Sequence, residues 1–292
     1  MKHTYEHVIR SAISDFETFF TSASNFKVNF ELRNINLPAK IVGGKDGSIL
    51  LFDKFSAGNE IKSLDDVMLI LVIVGHELAH YVNKHNSHID ETKDDSISIE
   101  GWADYFGARL TFALITYGPN ISKLIANLTA VPFAKPPSFA WRQSLILGAM
   151  SRALLRAYEA LYKPSDASGR YLKSDLRIYN FLAGVTSFFY RDSGELDEDL
   201  LLYVYKRLVF DNKLAEMVYD LREGFVCQDY FDRIRDIHVG IQGDGKKFIT
   251  AGLKIEYWNL MGTSYVDDPA QQKRSKERIS KQFEKWSFEV KI

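Results

Sequence analysis

Apolar residues at the start of the chain recur with helical spacing. Val8, Ile9, Ala12, Ile13, Phe16 and Phe19/Phe20 share a face of residues 5–22, which predicts an amphipathic helix. From Phe26 the period drops to two: Phe26-Lys27-Val28-Asn29-Phe30-Glu31-Leu32 alternates as a half-buried strand does. Beyond Pro38, the apolar segments 39–42 and 48–52 flank the turn-prone Gly43-Gly44-Lys45-Asp46-Gly47. A hairpin is expected there and, with the preceding strand, a small antiparallel sheet.

Ser63-Leu64-Asp65-Asp66 has capping-box spacing and places two acids where a helix dipole favours them. A helix should run from there through Met68-Leu69-Ile70-Leu71-Val72-Ile73-Val74 to about Lys84, apolar on every side in its first half and therefore buried. Residues 86–95 read as a polar, acidic loop, and a second helix is expected over 96–116, closed by Gly118-Pro119. The proline-bearing stretch 129–138 reads as a linker or wrapping loop, followed by helices near 140–162, 171–191 and 197–222. A second hairpin is expected within 239–257, around Gly243-Asp244-Gly245, and a charged, solvated helix over 271–285. The pattern defines an α+β, mainly α protein. Residues 1–130 form the expected core and 131–292 a helical region covering its cleft, as two units or as one continuous domain.

Composition narrows the chemistry. With 46% apolar residues, the 292-residue chain can fill a sizeable core. Lys plus Arg (37) nearly balance Asp plus Glu (38), so no overall field favours nucleic acid. The single Cys227 excludes an internal disulfide framework and a cysteine-rich zinc site, leaving His and carboxylates as metal ligands. Residues 1–7 lack a signal-type apolar segment, and the longest apolar run, Val67 to Val74, is far below the roughly 20 residues of a membrane span. A soluble, cytoplasmic protein without membrane spans is expected, its oligomeric state left open.

The candidate chemistry lies on the buried helix. In His76-Glu77-Leu78-Ala79-His80, two histidines four apart stand one above the other, with a glutamate beside the first. Catalytic zinc takes three protein ligands and an open position. Glu100, twenty residues after His80, is the candidate third ligand, on a helix face shared with Ala103, Asp104, Gly107 and Ala108. Such small neighbours permit close approach of another helix, and Asp104 could accept the free ring N–H of a ligand histidine. The bland alternative is two core histidines and the polar stripe of a surface helix.

The combination His76-Glu77-x-x-His80 with Glu100-x-x-Ala103-Asp104 resembles the active site of gluzincin metallopeptidases, with the ligand spacing of the thermolysin group. Locally, residues 76–85 and 100–110 look more like the CAAX prenyl protease type I family. The match covers about 45 residues, and the chain departs from that membrane family in having no spanning segments and a shorter insertion, so its prenyl-peptide substrate is not carried over.

The resemblance implies a zincin-like core, one Zn2+ held by His76, His80 and Glu100, and hydrolysis of a protein or peptide substrate with Glu77 as general base. A further oxyanion donor is expected from His238, which resembles in placement the downstream histidine of thermolysin-like enzymes, or from its rivals Tyr230 and Arg235. His85 is expected nearly opposite His80, in a capping role. The acids Asp90, Glu91, Asp94 and Asp95 read as a solvated loop. The competing function is a non-catalytic metal-binding or regulatory module on the same fold.

Overall fold

A computed structural model describes residues 3–44, 47–88, 92–129, 139–166, 171–193, 198–210, 214, 228–242 and 252–261. Helix α1 (Tyr5–Thr18) buries Val8, Ile9, Ala12, Ile13 and Phe16, as its pattern predicts. Strands β1 (Phe30–Arg33), β2 (Ala39–Gly44) and β3 (Gly47–Asp53) follow. The hairpin β2–β3 forms as expected, but the sheet is mixed rather than antiparallel. Its order is β1-β3-β2, with β1 parallel to β3 and Phe30 opposite Leu50. The hairpin folds back so that β3, whose Leu50, Leu51 and Phe52 are buried, takes the central place.

After the short helix α2 (Lys54–Ala57), helix α3 (Leu64–Asn83) begins at a capping box. Ser63 accepts from the Asp66 amide while the Asp66 carboxylate accepts from the Ser63 amide, an arrangement worth about 1 kcal/mol. Helix α4 (Lys93–Tyr117) starts three residues before the expected point, because Thr92 and Asp95 build a second capping box. Helices α5 (Pro119–Thr129), α6 (Phe139–Ala157), α7 (Lys163–Ser165), α8 (Ser174–Ser193), α9 (Glu198–Tyr205), α10 (Gln228–Gln242) and α11 (Trp258–Met261) follow, with further helical turns at Tyr158–Tyr162, Lys206–Phe210 and Ile255–Tyr257. Residues 239–242, expected in a hairpin, are the last turn of α10, where Ile234, Ile237 and His238 form its buried face. The linker at 130–138 and the charged segment 271–285 lie outside the described residues.

Helices α3 and α4 pack along their length, α8 covers α4, α6 lies against α3, and α10 lies on α4. One apolar cluster runs through these elements, from Val8 to Met261. The crossing of α3 and α4 is very close: a Cβ on Gly107 would lie 2.8 Å from the His76 amide nitrogen, and one on Gly75 would lie 2.6 Å from the Gly107 carbonyl oxygen. Thr111 donates to the Leu71 carbonyl beside this crossing. Two ion pairs, Asp65 with Arg152 and Asp66 with Arg156, fasten the start of α3 to α6. No helix among the described residues is long and apolar enough to cross a membrane.

Candidate metal centre

The glycine contact brings Glu100 of α4 against His76 and His80 of α3. His76 Nε2 and His80 Nε2 are 3.1 Å apart, and Glu100 oxygens lie 3.2 Å from His76 Nε2 and 3.6 Å from His80 Nε2. Ligand atoms of a tetrahedral zinc with bonds of 2.0–2.2 Å are separated by about 3.4 Å, so these spacings fit one ion. Among the described residues this is the one group of His, Cys, Asp and Glu whose donor atoms converge so closely. The side chains of His76 and Glu100 are 16% and 19% exposed, so the site lies at the edge of the core rather than sealed within it.

The far sides of both rings are occupied. Asp104 Oδ1 stands 3.0 Å from His76 Nδ1. A carboxylate only accepts, so His76 Nδ1 carries the proton of this bond and Nε2 faces the other donors, where release of its own proton would free a lone pair for a cation. Asp104 is in turn gripped by two bonds from Arg177 of α8, at 2.8 and 2.9 Å. Arg177 lies over the ring of Tyr162, and the pair with Asp104 is almost wholly buried.

The electrostatics favour positive charge between these donors. Burial opposes a charged His76, yet the hydrogen bonds to and the charges of Asp104 and Glu100 outweigh it and push its pKa up to about 10. Burial would also raise the Glu100 carboxyl, but His80 and His76 hold it well below the usual carboxylate range. Glu100 Oε2 is buried, with His76 Nε2 at 3.2 Å and the Arg177 guanidinium at 3.8 Å, so it faces only groups that carry protons or positive charge. Two imidazole nitrogens and a carboxylate oxygen are a donor set that suits zinc. Glu77 is buried, and burial pushes its carboxyl pKa up, against the opposing charges of His76 and His80.

The structure places His238 differently from the expectation. Its Nε2 lies 2.7 Å from His85 Nε2, and His85 Nδ1 lies 2.8 Å from His80 Nδ1. Both therefore stand behind His80, on the ring edge turned away from the convergent donors, and His238 is not where an oxyanion donor would be needed. His85 is likewise no distant cap. The helix ends at Asn83 and Lys84 adopts a left-handed conformation (φ 52°), so helical angles cease to apply and His85 turns back to His80. Of the rival donors, Arg235 is engaged on the surface with Asp232 and Asp236. Tyr230 lines a small cavity with Trp102 and Asn180.

The acidic loop also differs. Asp95 is buried and bound by His88 and Arg233, while Asp90 and Glu91 lie outside the described residues. Arg177 was not singled out from the sequence. Its signal is its place on the buried stripe Ser174, Arg177, Ile178, Phe181, where a lone guanidinium demands a buried partner. Compared with known protein families, curated proteins and solved structures, the chain matches none.

Proposed function

We propose that this protein is a zinc-dependent endopeptidase with a zincin-like core, acting on an intracellular protein or peptide, in which His76, His80 and Glu100 hold the metal and Glu77 is the general base. What carries the reading is the spacing of the three donors at 3.1, 3.2 and 3.6 Å, with a proton-accepting carboxylate behind His76 and a place at the edge of the core. Zinc bound there supplies Lewis acidity and brings the pKa of water toward neutrality.

The chain's own groups do the rest. Glu77, made more basic by burial, takes the proton of the attacking water and delivers it to the leaving amine. Asp104 holds His76 in the ligand tautomer, and Arg177 keeps Asp104 ionised and in place. The test is Glu77→Gln. It should bind one zinc per chain as the wild type does and lose peptide hydrolysis by about 10²–10⁴-fold. Comparing new protein N-termini in cells carrying either form finds the substrate; identical profiles would favour a non-catalytic metal-binding module.

A further inference from the structure

We infer that His85 and His238 are positioning residues that lock His80 into its metal-binding tautomer, making helix α10 part of the metal centre. The inference rests on the metal reading above and extends it to a part of the chain 153 residues away from His85.

Three imidazoles meet edge to edge, through His80 Nδ1 and His85 Nδ1 at 2.8 Å, then His85 Nε2 and His238 Nε2 at 2.7 Å. All three side chains are buried, His238 to 1% exposure. Each contact needs one proton and one lone pair, so a series of neutral rings has only two consistent orders. In the first, His80 Nδ1–H donates to His85, His85 Nε2–H donates to His238, and His80 Nε2 keeps its lone pair. In the second, every proton is on the other nitrogen, and His80 Nε2–H blocks the ligand position. Metal at His80 and the first order therefore select each other.

The outer end of the series is firmly seated. The Trp102 ring of α4 meets His238 edge-on at 5.6 Å, and Arg233, five residues earlier on α10, pairs with Asp95 of α4. A histidine ligand whose free N–H is held in this way typically owes about 10–100-fold in metal affinity to its partner.

The test measures zinc affinity of the full chain by competition with a chromophoric chelator, so it does not depend on peptidase activity. His85→Phe keeps the ring shape without donor or acceptor and should weaken zinc binding about 10–100-fold. His85→Gln supplies a carbonyl acceptor and an amide donor at similar spacing and should restore most of that loss. His238→Phe, which leaves His85 in place, should weaken binding by less than His85→Phe. Nitrogen-15 spectra of the zinc-loaded wild type should show the His80 ring protonated at Nδ1.

Unchanged affinity in His85→Phe overturns the inference and leaves the zinc reading intact, as does an equal loss in the Phe and Gln variants. Unchanged affinity in His238→Phe removes α10 from the centre. A wild type that takes up no zinc defeats the metal reading first, and this inference with it.

Discussion

Gly107→Ala should be costly in a way that ordinary helix propensity does not predict. The added Cβ would lie 2.8 Å from the His76 nitrogen and 2.9 Å from both the carbonyl carbon and oxygen of Gly75. Carbon contacts are comfortable from about 3.5 Å, so α3 and α4 must part by roughly 0.6 Å. All three neighbours are backbone, and none can rotate aside. Overpacking of this kind costs about 1–3 kcal/mol, from which alanine's better helix propensity recovers up to about 1 kcal/mol.

Gly240→Ala is the matched control. It lies in α10, its Cβ would meet nothing within 4 Å, and it should gain about 0.5–1 kcal/mol. The same chemical change should thus move urea midpoints of the metal-free protein in opposite directions. Zinc affinity should fall in Gly107→Ala alone, by about tenfold or more, because metal–ligand distances tolerate errors of only about 0.2 Å. A Gly107→Ala protein as stable as the wild type, with equal zinc affinity, would refute the argument that this crossing sets the site.

Further outcomes follow from the same geometry. Zinc at a thousand times its dissociation constant should raise the unfolding free energy by about 4 kcal/mol, a gain lost in His80→Ala and reversed by a chelator. Arg177→Met strands the buried Asp104 carboxylate and should cost about 3–5 kcal/mol; adding Asp104→Asn should recover part of it in a double-mutant cycle. Arg233, His88 and Thr92, working against burial, hold the Asp95 carboxyl down at about 2, below its ordinary value of 3.8. Its stabilising contribution is therefore complete above pH 3.8 and lost as the pH falls through 2. Urea midpoints of metal-free wild type and Asp95→Asn should converge over that window; parallel curves would remove Asp95 from the acid sensitivity.

Residues that act locally were legible in the sequence. Ser63 and Asp66 announce the start of α3, the HExxH spacing places two rings on one face, and the small residues around Glu100 foretell close packing. Asp104 behind a candidate ligand histidine followed from one helical turn of offset. The misreadings share a cause. Helical periodicity carried through His85 misplaces it, because a left-handed Lys84 ends the helix and no glycine marks that stop. The parallel pairing of β1 depends on which edge of the hairpin it meets, which alternation alone does not specify. Arg177 and His238 gain their roles only through contacts 73 and 153 residues away along the chain.

That separation bears on the order in which the molecule is assembled. The three candidate ligands lie within residues 76–100, but the groups that orient them arrive with Arg177 and His238. A chain emerging from the ribosome completes its donor set long before its supports, and closing such long loops is slow. Metal captured early would meet rings free to rotate and exchange readily, with tight retention appearing only once α8 and α10 have docked. In refolding experiments, slow zinc exchange should therefore appear with the last folding phase rather than with the formation of α3 and α4.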